Sequence, residues 1–126
     1  MINNSDDDIK KQNYINLETF RKNGEGVKTP VWFVQDGNVF YVQTDGNSGK
    51  VKRIRRNTKV KIAPCKGDGR LLGDWIEARA EICQDVEKIK EVDQLAMRKY
   101  GWMKKMFNFF NVVKKSVYTT LMIKLN

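Results

Sequence analysis

The dipeptide Asp36-Gly37 separates two apolar runs, "VKTPVWFVQ" and "NVFYVQT", and that arrangement constrains the fold more than any other feature of the chain. Aspartate followed by glycine supplies the positive backbone angles of a two-residue hairpin turn, so the flanking runs are expected to pair as antiparallel strands. "NVFYVQT" is apolar at successive positions, which places it in the middle of a sheet with both faces covered. Pro30 lies inside the preceding run and has no N–H to donate, which argues for an edge position or a bulge there.

The same grammar extends along the chain. "YINLETFR" is strand-like, with Ile15, Leu17 and Thr19 alternating before the Asn23-Gly24-Glu25-Gly26 turn. "KVKIAPC" directs Val60 and Ile62 inward and Lys59 and Lys61 outward, and "DWIEARAEI" sets Ile76, Ala78, Ala80 and Ile82 against Glu77, Arg79 and Glu81. A short helical segment is expected over Lys50–Asn57, with Val51 and Ile54 on one side. From Val86 the period lengthens, and Val86, Ile89, Val92, Ala96 and Met97 share a helical face. Gly101 interrupts, "WMKKMFNFFNVVKK" resumes as a second amphipathic helix, and Val117, Thr119, Leu121, Ile123 and Leu125 alternate as a closing strand. Residues 1–12 are polar and read as a tail or frayed helix, leaving 13–126 as one domain. Five strands with one short helix among them, a helical pair and a sixth strand predict a small antiparallel barrel with a helical flap. A doubly wound sheet is disfavoured, because strands do not alternate with long helices.

Charge and residue types narrow the function. The net charge is +9, and seven of the twelve residues from Lys50 to Lys61 are basic, so an anionic partner is expected. That segment suits a nucleic-acid backbone, a membrane surface, one phosphate of a small cofactor, or water alone. Nucleic acid is disfavoured because no exposed aromatics interleave with the charges. The Phe-rich helix 102–115 suits packing on the barrel or on a partner subunit better than a membrane surface. No apolar stretch is long enough to span a bilayer and no signal peptide is visible, so a cytoplasmic protein is expected. Cys65 and Cys83 read as buried thiols.

Histidine is absent, which excludes Ser-His-Asp and Cys-His catalysis and histidine-based zinc sites. The carboxylates Glu18, Asp74, Glu77 and Glu81 offer no general base, so no catalytic side chain and no metal ligand is assigned. Ser48-Gly49-Lys50 precedes a helix start, where free N–H groups and the helix dipole favour an anion, and Arg53 lies one turn on from Lys50.

"TPVWFVQDGNVFYVQT", "SGKVKRIRRNTKVKIAPC" and "GRLLGDWIEARAEI", in this order and spacing, resemble the pyridoxamine 5'-phosphate oxidase-like split-barrel family. The likeness is strongest from Tyr14 to Ile82, and within the family it is nearest the deazaflavin (coenzyme F-420)-dependent oxidoreductases. The resemblance implies a six-stranded antiparallel split β-barrel of the FMN-binding type, a homodimer, and a flavin-type cofactor at the subunit interface. It implies that Lys28 helps hold the cofactor phosphate and that the backbone of Thr29, Pro30, Val31 and Trp32 borders the ring. Tyr41, Val42 and Thr44 would lie along the ring's side, with Ser48, Gly49, Lys50 and Arg53 at the phosphate. A bound flavin or deazaflavin moves hydride itself, so an oxidoreductase acting on a small molecule is compatible with the missing acid–base residues. The basic surplus from Lys52 to Lys61 tilts the choice between FMN and F-420 slightly to F-420, whose oligoglutamate tail adds negative charge. A flavin carrier without turnover and a basic nucleic-acid-binding barrel are the alternatives.

Overall fold

The computed structural model describes residues 13–101 and 118–126. In chain order the elements are β1 (Tyr14–Phe20), β2 (Gly26–Trp32), β3 (Val34–Asp36), β4 (Val39–Asp45), α1 (Gly49–Arg56), β5 (Lys59–Cys65), β6 (Ile76–Ile82), α2 (Val86–Tyr100) and β7 (Tyr118–Leu125). One sheet holds all seven strands in the order β2-β1-β5-β6-β7-β4-β3, and every pair is antiparallel. β2 and β3 stand at opposite ends of that order, yet the single residue Phe33 joins them. The sheet therefore curls until its two edges meet at Phe33.

The expected strand count of six is corrected to seven at this point. The run "VKTPVWFVQ" is two strands, because the Phe33 N–H bonds to the Tyr100 hydroxyl at 2.9 Å, with Phe33 lying outside both strands. Pro30 sits on edge strand β2, opposite Asn16 of β1, where its missing N–H costs no second ladder. Asp36-Gly37 makes the β3–β4 turn, with Asp36 opposite Val39 and Gly37 at φ 63°.

The interior of the curl collects Ile15, Leu17, Phe33, Phe40, Val42, Val60, Ile62, Ala78, Ala80, Leu121 and Ile123. These are the inward positions of each alternating run. α1 closes the interior with Val51 and Ile54, both fully buried. Each such side chain contributes roughly 1.5–3 kcal/mol relative to exposure. α2 covers the outer side of β3 and β4, where Val92, Ala96 and Tyr100 pack on Val34 and Tyr41. β4 is thus apolar on both faces for a physical reason: Phe40 and Val42 look into the curl and Tyr41 looks at α2. Asp85 caps α2 by accepting from Glu87 N at 3.1 Å and Lys88 N at 3.4 Å. The buried face of α2 runs one turn later than the sequence pattern indicates, since Val86 is 62% exposed and Tyr100 is buried. The expected second helix of the pair and the N-terminal tail lie outside the described residues. Cys65 and Cys83 are buried free thiols. Among the described residues no helix is long and apolar enough to cross a membrane.

Candidate functional site

The edge of β2, the end of β4 and the start of α1 converge on a groove of about 390 Å³. Thr29, Pro30, Val31, Trp32, Thr44 and Lys50 line it, six of the residues named from the sequence, together with Tyr14, Gln43 and Asp45. Because β2 pairs on one side only, alternate backbone N–H and C=O groups point out along this rim. The hydrogen-bonding surface offered to a planar ligand is therefore main chain, and side-chain chemistry is secondary.

The start of α1 forms the basic end of the groove. Ser48 is the N-cap residue, but its side chain caps nothing, and its Oγ is buried with no hydrogen-bond partner among the described residues. An uncapped start leaves the first helical N–H groups available. The loop before it is held by its own bonds: Asp45 Oδ1 accepts from Asn47 N at 2.8 Å, and Asp45 O accepts from Ser48 N at 3.0 Å. Arg53 folds back over the helix start, so that a β-carbon placed on Gly49 would lie 2.7 Å from Arg53 Nη1. Thr19 fixes this pose by accepting from Arg53 Nε at 2.6 Å.

Electrostatically these cations oppose one another. Burial holds the Lys50 ammonium below its ordinary pKa, Arg53 pushes it the same way, and Asp45 partly compensates. Arg53 is lowered by burial and then by Arg21 and Arg56. Lys50 has no ion pair among the described residues. A partly desolvated, mutually repelling cluster at an uncapped helix start is stabilised by any anion that enters. The orphaned Ser48 hydroxyl supplies a donor for the same anion, so the donor set suits a phosphate monoester. Asp45 stands at the groove wall, and its Oδ1 is already engaged in the loop.

Of the other six residues named from the sequence, Ser48, Gly49 and Arg53 belong to the helix start beside Lys50 rather than to the groove lining, and three lie away from it. Val42 is fully buried, its side chain packed in the interior of the curl. Tyr41 points to α2, where burial raises its pKa, and it lines a separate small pocket with Trp32 and Tyr100. Lys28 is exposed, with Nζ 5.4 Å from the centre of the Trp75 ring.

Tyr100 was missed, although it lies one turn on from Ala96 on the apolar face of the helix. Its ring stacks on Trp32 at 4.7 Å and 11°, and Trp32 in turn meets Tyr14 edge-on at 6.4 Å. Its hydroxyl accepts from Phe33 N and stands 2.6 Å from Phe33 O and 2.8 Å from Asn13 O, its own proton shared between those two acceptors. Tyr100 thus sets both the kink at Phe33 and the angle of Trp32 at the groove wall. Gln43 and Asp45 were also missed; they flank Thr44 at the end of β4, and all three line the groove.

Among known proteins, the family model described as "Pyridoxamine 5'-phosphate oxidase" matches residues 3–120. Of the solved structures, a conserved hypothetical protein of Mycobacterium tuberculosis aligns with a TM-score of 0.76 at 18% identity, over 100% of this chain and 82% of its own. HutZ, the heme storage protein of Vibrio cholerae, aligns with a TM-score of 0.74 at 12% identity, over 96% of this chain and 87% of its own. A Clostridium acetobutylicum protein related to general stress protein 26, of the pyridoxinephosphate oxidase family, aligns with a TM-score of 0.70 at 17% identity, over 97% and 81%. At these identities the likeness shows the fold alone. No curated protein matches the chain.

Proposed function

The chain belongs to the pyridoxamine 5'-phosphate oxidase family, and from that premise we propose that it is an oxidoreductase holding a phosphate-bearing flavin-type cofactor in the β2–α1 groove. The observation that carries the reading is the helix start: the unpartnered, buried Ser48 Oγ beside Lys50, with Arg53 anchored on Thr19. The phosphate would take Ser48, Lys50 and the free N–H groups of α1, with Arg53 adding charge. The outward main chain of Thr29–Trp32 would hydrogen-bond the polar edge of the ring, and Trp32, locked by Tyr100, would limit its tilt. The cofactor, FMN or the deazaflavin F-420, supplies the hydride chemistry. The chain's own residues bind and orient it and exclude water from one face. A second copy of the chain completing the open side of the groove is part of the reading, as is a small-molecule hydride donor or acceptor.

Side-by-side fluorescence titration with FMN and with F-420 tests this. Binding of one at micromolar affinity or better is expected, and binding of neither overturns the reading. Mixing the reduced complex with candidate acceptors then separates an oxidoreductase from a carrier, since a carrier shows no acceptor-dependent reoxidation.

A further inference from the structure

A second groove, of about 490 Å³, lies between β3 and the last turn of α2 and shares no lining residue with the first. Val34 and Gln35 line it from the strand, and Leu95, Arg98 and Lys99 from the helix. Lys99 does not extend into water as a terminal helix lysine ordinarily does. Its Nζ lies 3.6 Å from the centre of the Phe33 ring and donates to Phe33 O at 3.0 Å. No carboxylate forms an ion pair with it among the described residues. Asp36, the acid of β3, is taken by Lys88 at 2.6 Å. The Tyr100 ring stands 5.4 Å away, and burial keeps its hydroxyl protonated, so it brings no charge. Among the described residues, Arg98 is the one charged group sharing the groove wall with Lys99.

We infer that Lys99 is a nucleophilic amine that condenses, in this groove, with small carbonyl compounds carrying an anionic group. The Phe33 carbonyl and ring face hold Nζ in place at the groove wall, and in the neutral amine the lone pair is the nucleophile. Attack forms the C–N bond; the carbonyl oxygen then departs as water with two protons, and an imine remains. No oxidant or reductant is consumed. Gln35 lines the groove, and its buried Oε1 has no hydrogen-bond partner among the described residues, while its Nε2 donates to Gly37 O at 3.0 Å. That free acceptor suits the hydroxyl of the addition intermediate. Arg98 suits a carboxylate or phosphate on the incoming molecule.

Burial lowers the Lys99 pKa from 10.5 to about 8. At about pH 7.5 roughly a quarter of the amine is then neutral, against roughly one part in a thousand for an ordinary lysine. The lower basicity costs about twentyfold in intrinsic nucleophilicity if the thiol slope of about 0.5 applies. About tenfold remains as a net advantage.

The test is labelling of the intact protein by glyoxylate with cyanoborohydride, mapped by peptide mass spectrometry, with acetaldehyde as the neutral probe. Lys99 is expected to be labelled about tenfold faster than exposed Lys66 and Lys90, with the advantage shrinking as pH rises above about 8 and the ordinary lysines begin to lose their protons. Arg98→Gln is expected to remove the preference for glyoxylate over acetaldehyde while Lys99 stays reactive. Equal labelling of Lys99, Lys66 and Lys90 overturns the inference. A glyoxylate preference unchanged in Arg98→Gln overturns the anionic specificity. The wild-type map needs no substitution, so a variant that fails to fold leaves the main test intact.

Discussion

Replacing Tyr100 with phenylalanine removes one oxygen and leaves the ring stacked on Trp32. The loss falls on a small set of groups. Phe33 O keeps its bond from Lys99 Nζ at 3.0 Å, and Asn13 is exposed, so its carbonyl turns to water. Phe33 N has the Tyr100 hydroxyl as its partner, and Phe33 is only 2% exposed. One buried donor is therefore orphaned, at a cost of about 1–3 kcal/mol. With a urea m-value of about 1.5 kcal/mol per molar, the midpoint should fall by roughly 1–2 M and the slope should not change. Tyr100→Ala also loses the ring, so about 3–5 kcal/mol is expected, the cost of an aromatic cavity. Equilibrium unfolding in urea, followed by tryptophan fluorescence, measures both, and the Trp32 contribution to the native signal should change in the alanine variant alone. A phenylalanine variant within about 0.3 kcal/mol of the parent would refute the reasoning. The break between β2 and β3 would then be held by the flanking ladders, without the hydroxyl.

Lys50→Ala should weaken the binding of FMN or F-420 by about 10- to 150-fold, the loss of one charge-assisted phosphate contact of about 1.5–3 kcal/mol, read by titration. Gly37→Ala should destabilise by about 1 kcal/mol in thermal unfolding; φ is 63° there and no atom lies within 4 Å of an added β-carbon, so the cost is backbone strain alone. Asp36 is held below its ordinary 3.8 by the Lys88 hydrogen bond. Its contribution is therefore complete above that value and lost as pH falls through the lower folded value. Asp36→Asn should be less stable than the parent near neutrality, with the gap closing in acid denaturation series below pH 3.8. For Lys99 the slope has the same sign at higher pH: the folded pKa of about 8 lies under the unfolded 10.5, so the unfolded chain binds the extra proton in between. The stability of the parent relative to Lys99→Met should rise from pH 8 to 10.5.

Most of the strand grammar was legible because it depends on local chemistry. Asp36-Gly37 can make only a few turns, Pro30 cannot serve two neighbours, and the alternation in "KVKIAPC" and "DWIEARAEI" is a statement about which face meets water. Val51 and Ile54 announced the buried side of α1, and Ser48-Gly49-Lys50 its anion-friendly start. What failed did so where one residue answers to a partner far along the chain. The run from Val27 to Gln35 reads as one strand until Tyr100, 67 residues after Phe33, claims the Phe33 amide. Lys99 reads as an ordinary solvated lysine at a helix end, and only the curl that brings Phe33 beneath α2 strips its water. By itself the sequence determined the antiparallel class, the turns, the inward faces and the basic helix start, since each follows from a few neighbouring residues. Tertiary structure decided where the sheet edges meet, which side chains of β4 are buried and which lysine is desolvated. Those depend on long-range closure, whose geometry is carried by no local pattern.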